Sequence, residues 1–181
     1  MKRFIAISAM ALVMTSCGGS NAAAYPQASA VAITQVRVEE PTFQAQVFAT
    51  AITQVRKEKL NNVIAQLKSR VGKTWYVFSG ASPSGWDCSG LVVWAYEQLG
   101  ATLPHSANKQ GHLGHKVHTP RVGDIVVWSY KGSSSYYHAS IYIGNGNVIH
   151  AGFRPGTSTS VISLGDPSFD GSDATFIRVN W

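Results

Sequence analysis

The sequence predicts an α+β protein in which N-terminal helices pack on a central antiparallel β-sheet. Two patterns in the chain predict this class. Residues 57–100 carry apolar side chains at helical spacing, whereas residues 124–179 contain short β-branched and aromatic runs separated by glycine, asparagine, proline and serine. Helices followed by consecutive strands are typical of α+β folds, in which neighbouring strands pair as antiparallel hairpins.

The composition is that of a folded chain. Its 181 residues are 45% hydrophobic and 13% charged, which excludes a wholly disordered polyelectrolyte. Two cysteines, Cys17 and Cys88, are too few for a disulfide scaffold or a cysteine-rich zinc module. The net charge of +6 is dispersed, without a run of five like charges. We therefore expect no nucleic-acid partner, although the charge is compatible with an anionic bacterial wall.

The first residues resemble an export signal. Two basic residues precede an apolar run that ends at Met14 and is too short to span a bilayer, so residues 1–24 are predicted to be a signal peptide. Met14-Thr15-Ser16-Cys17 resembles a lipobox, in which Cys17 would be lipidated and would anchor the protein to the membrane. Cleavage after Ala24 would instead discard Cys17 and leave a secreted or periplasmic protein. Both alternatives place the protein in the cell envelope.

Residues 25–56 are predicted to be a linker, and residues 57–181 a single domain. The linker contains two copies of the sequence Ala-Ile-Thr-Gln-Val-Arg, at Ala32–Arg37 and Ala51–Arg56. Two copies are too few for a solenoid, so we interpret them as a local duplication.

Two helices are predicted at the start of this domain. The first begins near residue 57 and is ended by Gly72. Its apolar residues lie on one face, at Leu60, Val63, Ile64, Leu67 and Val71. The second runs from Cys88 to Leu99, is ended by Gly100, and is apolar nearly all round, so we expect it to be buried. Five strands are predicted after it, at Asp124–Trp128, Tyr137–Ile143, Val148–Ala151, Val161–Leu164 and Thr175–Val179.

Cys88 is the candidate nucleophile. A lone cysteine is usually an apolar filler, but Cys88 stands where a loop rich in glycine, serine and proline meets the start of a helix. The N–H groups and dipole of a helix N-terminus stabilise a thiolate, so we expect a lowered pKa for Cys88. The same N–H groups can face an oxyanion. On the simplest interpretation, the neighbouring Asp87 and Ser89 are helix-capping residues.

Two histidines on a predicted hairpin are candidates for the base and for the group that orients it. His138 and His150 flank a Gly-Asn-Gly-Asn loop. A two-residue turn would pair His150 with Ile141 and put the histidines on opposite faces. A three-residue loop would pair His150 with Ser140, put both histidines on one face and place Gly146 in the left-handed conformation as a bulge. Cooperation between the histidines predicts the second register.

A pattern that suggests a metal site occurs at His112, His115 and His118. No Asp, Glu or Cys stands near enough in the sequence to complete a coordination shell, and the spacing does not stack ligands on a predicted helix. We interpret the three as loop histidines at the rim of a cleft, and we expect neither a metal nor a cofactor.

Four segments, in this order, resemble the NlpC-type cell-wall cysteine peptidases, which are papain-like hydrolases of bacterial peptidoglycan. The resemblance covers residues 60–181, and it is the joint match that is specific. Ser79 is a departure, because the family usually has glycine there. The segments are Trp75–Gly80 with Gly85–Val92, Leu103–Ser106 with Gln110, Pro120–Trp128, and His138–Gly146 with Ile149–Ala151.

This resemblance implies a role for each matching residue. Cys88 would be the nucleophile, His138 the general base and His150 the residue that orients His138. The positions that stabilise the oxyanion or border the substrate cleft would be Tyr76, Asp87 and Ser89. The implied reaction is hydrolysis of the bond between D-γ-glutamate and a diamino acid in peptidoglycan stem peptides, and we expect a monomer.

Two other interpretations stay open. A cell-wall amidase of related fold would cut the sugar–peptide amide and has the same order of cysteine and histidine. A non-catalytic lipoprotein would only bind wall peptides, although a binding protein needs no nucleophile. Permuted acyltransferase relatives place the histidine before the cysteine, and the order in this sequence disfavours them.

Overall fold

An antiparallel sheet with helices packed on it forms the architecture of the protein. The computed structural model describes residues 41–181. Its helices are α1 (Phe43–Ser69), α2 (Cys88–Leu99) and α3 (Ala107–Gln110), with a 3₁₀ turn at Pro167–Phe169. Its strands are β1 (Ala81–Ser82), β2 (Gly85–Trp86), β3 (His115–Val117), β4 (Ile125–Tyr130), β5 (Tyr136–Gly144), β6 (Asn147–His150), β7 (Ser160–Ser163) and β8 (Ser172–Arg178).

The main sheet of the described residues has the strand order β3-β8-β4-β5-β6-β7, and each neighbouring pair is antiparallel. β8 therefore returns from the end of the chain to lie between β3 and β4. β1 and β2 form a separate two-stranded hairpin just before α2. The helix-side core brings together apolar residues of α1, α2 and the sheet, among them Leu67, Leu91 and Ile141. The predicted α+β class with helices on an antiparallel sheet is confirmed.

The second predicted helix is also confirmed, with the bounds expected. Asp87 caps its start by accepting a hydrogen bond from the Gly90 N–H, and Gly100 ends it with a φ of 95°. A left-handed residue after the last turn suits glycine, which has no Cβ to clash with the preceding carbonyl. All five predicted strands are present, with ends displaced by one to three residues.

The first helix begins at Phe43, so the predicted start near residue 57 is wrong. Thr42 caps it by accepting a hydrogen bond from the Ala45 N–H. The side chains that α1 buries are Val63, Ile64 and Leu67, all in its second half, and the predicted helix covered only this core-facing part. The repeat copy at Ala51–Arg56 therefore lies inside α1.

Some elements had no counterpart among the sequence-based expectations. The segment with His115 was expected to be a loop. It contains β3, which pairs with β8. Gly72 has the left-handed φ of 71° but follows the helix end at Ser69 by three residues. The predicted signal peptide, Cys17 and the first repeat copy lie outside the described residues. Within the described range, no helix is both long enough and apolar enough to cross a membrane.

Candidate active site

Cys88 is the first residue of α2, and the hairpin before it holds the helix start in place. The backbone carbonyl of Gly80 accepts a hydrogen bond from the Asp87 N–H at 3.0 Å. Gly90 permits this close approach, since a Cβ there would collide with the carbonyl oxygen of Gly80. The N-terminus of α2 is therefore packed directly on the loop that precedes β1.

The Cys88 thiol is mostly buried. Burial raises its pKa above the usual value, and the nearby Asp87 carboxylate raises it further. The nearby backbone N–H groups of Ala139, Ser89 and Cys88 itself lower this pKa in part. The expectation of a lowered pKa is thus wrong, because desolvation outweighs the stabilising N–H groups. The resting side chain is a neutral thiol.

The contact with Ala139 joins the nucleophile to β5. Ala139 directly follows His138 in that strand, and its backbone N–H is near enough to the Cys88 thiol to lower the thiol pKa. α2 and β5 pack against each other in the core. The structure thus brings Cys88 to the point on β5 where the candidate base is located.

Asp87 has four hydrogen bonds that use both carboxylate oxygens. Oδ1 accepts from Gly90 N–H at 2.7 Å and from Ser89 Oγ–H at 3.0 Å, and it lies 2.8 Å from His105 Nε2. Oδ2 accepts from the Ser79 N–H at 3.0 Å. The simple capping interpretation is confirmed for Asp87, whereas Ser89 caps no backbone group and instead donates its hydroxyl to the Asp87 carboxylate. Their further role at a substrate cleft stays a prediction, since both side chains are buried and bonded within the chain.

Two residues near this cap were not assigned a role from sequence. His105 joins the cap through Asp87. The buried Gln110 donates hydrogen bonds to the carbonyls of Ser89, at 3.0 Å, and Pro104, at 2.9 Å. Both therefore tie the loop after α2 back to the start of that helix.

Tyr76 lies beside the nucleophile. It forms a parallel bridge with Trp86 and donates its backbone N–H to the Thr157 carbonyl at 2.8 Å. Burial raises the pKa of its hydroxyl, and the nearness of Cys88 and Asp87 raises it further. Tyr76 is thus a neutral O–H donor close to Cys88. Ser79, where the family usually has glycine, adopts a φ of 59°, a conformation that favours glycine.

The hairpin places His138 and His150 together. β5 and β6 pair Ile141 with Ile149, so that His150 falls opposite Ser140, as the second register requires. His138 Nε2 lies 3.0 Å from His150 Nδ1, which is hydrogen-bond distance. The prediction that the two histidines share one face of the sheet is confirmed.

The turn that produces this register differs from the predicted three-residue loop. Asn145 and Gly146 have φ of 53° and 71°, as a two-residue type I′ turn requires, and Gly144 pairs with Asn147. The pairing then shifts by one residue at Ile143. A bulge after a tight turn therefore gives the same pairing as the longer loop, and Gly146 is left-handed as predicted.

Ser160 extends the histidine pair and was not found from sequence. It pairs with His150 across β6 and β7, and its Oγ lies 2.8 Å from His150 Nε2. Asp166 is near enough to act on His150 electrostatically, and its charge raises the histidine pKa. Neither residue belongs to a recognisable motif, and only the sheet pairing brings them close.

Aromatic rings surround the two imidazoles. The rings of Phe153, Phe169 and Trp128 have their centres 4.5, 5.3 and 5.6 Å from that of His138. Burial lowers the pKa of His138 well below its usual value and that of His150 to about 4. Both imidazoles are therefore neutral at pH 7. Two tautomeric arrangements satisfy both contacts, because the Ser160 hydroxyl can accept or donate. The arrangement that leaves His138 Nδ1 unprotonated is the one in which His138 Nε2–H donates to His150 Nδ1 and His150 Nε2–H donates to Ser160 Oγ.

The three loop histidines lie apart from this pair. His112, His115 and His118 are all exposed, and His112 Nδ1 is 2.7 Å from the Asn108 carbonyl. Across residues 41–181, no cluster of three or more His, Cys, Asp or Glu side chains is arranged to hold a metal ion.

Known proteins are similar in sequence to part of this chain. A probable endopeptidase of Mycobacterium tuberculosis is 44% identical over 78 residues, which are 42% of this chain and 19% of that protein. The gamma-D-glutamyl-L-lysine dipeptidyl-peptidase of Bacillus cereus is 33% identical over 97 residues, 52% of this chain and 29% of that protein. The chain thus spans well under two thirds of the length of either relative.

Among solved structures, the NlpC/P60 domain of the peptidoglycan hydrolase SagA superposes with a TM-score of 0.53 and 32% identity, covering 64% of this chain and 96% of that domain. The NlpC/P60 family profile matches residues 72–166. That interval includes the start of α2, the β5–β6 hairpin and β7. With its cysteine and histidines placed on these elements, the chain belongs to the NlpC/P60 family.

Proposed function

We propose that the protein is a cysteine peptidase that hydrolyses amide bonds in peptidoglycan stem peptides. One observation carries the proposal: Cys88 contacts β5 at the residue after His138, and His138 is hydrogen-bonded to His150 at 3.0 Å. A nucleophile, a base and a group that orients the base are the minimum set for thiol catalysis.

The bond to His150 selects the atom of His138 that acts as the base. With Nε2–H donated to His150, Nδ1 carries the free lone pair and can accept the thiol proton. Because burial raises the pKa of Cys88 and lowers that of His138, the resting pair is neutral. Proton transfer then accompanies attack of the sulfur on the amide carbonyl.

The tetrahedral intermediate forms in front of several hydrogen-bond donors. The Cys88 backbone N–H and the Tyr76 hydroxyl would hold the oxyanion. The protonated His138 then gives its proton to the leaving amine, and the C–N bond breaks to leave a thioester on Cys88. Water, deprotonated by the same imidazole, attacks the thioester, which releases the acid and restores the thiol.

The proposed scissile bond joins D-γ-glutamate to a diamino acid. Support comes from the name of the Bacillus cereus relative, a gamma-D-glutamyl-L-lysine dipeptidyl-peptidase, and from the superposition on a domain of a peptidoglycan hydrolase. Wall peptides are outside the cell membrane, so export, with lipid attachment at Cys17, belongs to the same proposal. Cys17→Ser should release the protein from the membrane fraction if that anchor exists.

Digestion of defined muropeptides, with products identified by mass spectrometry, tests the proposal. We expect cleavage between D-γ-glutamate and the diamino acid, complete loss of cleavage in Cys88→Ala, and a midpoint of thermal unfolding close to that of the unchanged protein. His112→Ala, a substitution of an exposed histidine, is the matched control for His138→Ala. Release of intact stem peptides would assign an amidase, and undiminished activity of Cys88→Ala would refute the thiol mechanism.

A further inference from the structure

A groove runs between α1 and the end of β8, away from the candidate active site. It has a cleft of about 520 Å³ and a pocket of about 400 Å³, and Arg56 and Trp181 line both. The cleft reaches Asp124, just before β4, whereas His138 pairs with Trp128 further along that strand. The two cavities therefore adjoin at Arg56 and Trp181, and neither is lined by His138 or His150.

The cleft carries excess positive charge. Its ionisable side chains are Arg56, Arg121, Arg178 and Asp124, a formal sum of 3 − 1 = +2. Arg178 donates Nε–H and Nη2–H to the two oxygens of Asp124 at 3.0 and 2.7 Å, so these two charges compensate each other. Within residues 41–181, neither Arg56 nor Arg121 has an acidic partner within 4.0 Å. Two guanidinium groups are therefore available to an anion.

The adjoining pocket is apolar. Its lining includes Ile52 and Val55 of α1, which are 55% and 63% exposed. Phe48, 62% exposed, lies one helical turn before Ile52 on the same side. Residues 43–55 contain no charged side chain. An exposed apolar strip of this kind marks a surface that binds an apolar partner.

We propose that this groove binds an anionic phospholipid, with the phosphate between Arg56 and Arg121 and an acyl chain along Ile52 and Val55. Guanidinium pairs match phosphate oxygens in charge and geometry. The apolar pocket adjoins the charged cleft, as the tail of an amphiphile adjoins its head. A wall polymer with phosphate groups would leave the apolar pocket empty. A second copy of the chain paired through α1 would bring a second Arg56 to a surface that already has excess positive charge.

Titration calorimetry of the full chain with hexyl phosphate tests the proposal, with inorganic phosphate and hexanol as probes of the head and the tail. We expect hexyl phosphate to bind at least about tenfold more tightly than either, since it makes both charged and apolar contacts. The double substitution Arg56→Gln and Arg121→Gln should weaken binding at least about tenfold. Arg70→Gln removes an exposed arginine at the other end of α1 and should leave binding unchanged.

Ile52→Ser separates the two halves of the groove, because it should weaken hexyl phosphate binding and spare inorganic phosphate. Three results would overturn the proposal: equal affinity for hexyl phosphate in the double variant and the unchanged protein, inorganic phosphate binding as tightly as hexyl phosphate, or light scattering that finds a dimer dissociated by Ile52→Ser. The first result would show that the arginines do not bind the phosphate, and the second that no acyl chain binds in the apolar pocket. The third would show that the apolar strip binds a second copy of the chain.

Discussion

Acid should destabilise the folded protein through its buried histidine pair. His150 has a folded-state pKa lowered by burial from 6.5 to about 4, and His138 is lowered well below 6.5 for the same reason. The unfolded chain therefore binds protons that the folded chain excludes. A depressed histidine pKa leaves stability intact above pH 6.5 and removes it as the pH falls toward the folded-state pKa.

The size of the effect follows from the shift. A pH of 5 is about 1.5 units below the pKa of a histidine in the unfolded chain, and each unit corresponds to about 1.4 kcal/mol of free energy. His150 alone should therefore lower the free energy of unfolding by about 2 kcal/mol between pH 7 and pH 5. His138 acts in the same direction. His150→Asn removes one titrating group but keeps an acceptor for His138 and a donor for Ser160, the two partners that His150 has in the structure.

Urea unfolding at pH 7, 6 and 5 measures this cost. We expect the loss of unfolding free energy between pH 7 and pH 5 to be about 2 kcal/mol smaller in His150→Asn than in the unchanged protein. His115→Asn, at an exposed position on β3, should keep the full loss. The reasoning fails if the unchanged protein is equally stable at both pH values, or if His150→Asn loses as much stability as the control.

The remaining predictions concern other parts of the site. Ser160→Ala leaves Nε2 of the buried His150 without its partner and should lower kcat about tenfold with little change in KM. Ser163→Ala, at an exposed position on the same strand, is the control. Equal kinetics in the two variants would contradict a role for Ser160 in orienting His150. Gly90→Ala should destabilise the fold by about 3 kcal/mol in urea, because its Cβ meets a backbone carbonyl; Gly165→Ala, with open space around it, should not, and a stable Gly90→Ala would refute the packing argument. The rate of Cys88 alkylation by iodoacetamide should have its midpoint above pH 9.0, since burial raises that pKa; a midpoint near neutral pH would establish a resting ion pair instead.

Local sequence signals predicted the nucleophile helix and the hairpin well. Asp87 and Gly100 are strong start and stop residues, and both act within one turn of the helix that they delimit. The same-face histidines followed from strand alternation once the register was chosen. The turn itself was not predictable, because a bulge at Ile143 and a longer loop give the same pairing.

Other features depend on contacts between distant segments. The first half of α1 does not pack on the described core, so a search for the core-facing period starts too late. Ser160 and Asp166 reach His150 only through β6–β7 pairing and the chain that follows β7. The Cys88 pKa depends on how far the thiol is buried, a property of the whole core and not of the helix start.

The contact between His138 Nε2 and His150 Nδ1 makes the histidine pair a single acid–base unit. His138 can accept the thiol proton at Nδ1 only while its Nε2–H is donated to an unprotonated His150 Nδ1. Once His150 carries a second proton, its Nδ1–H becomes a donor, and the contact survives only if His138 moves its own proton to Nδ1. That tautomer has no lone pair facing the thiol. Acid therefore disables the base through its partner, and the acid limb of any activity belongs to the pair and not to His138 alone.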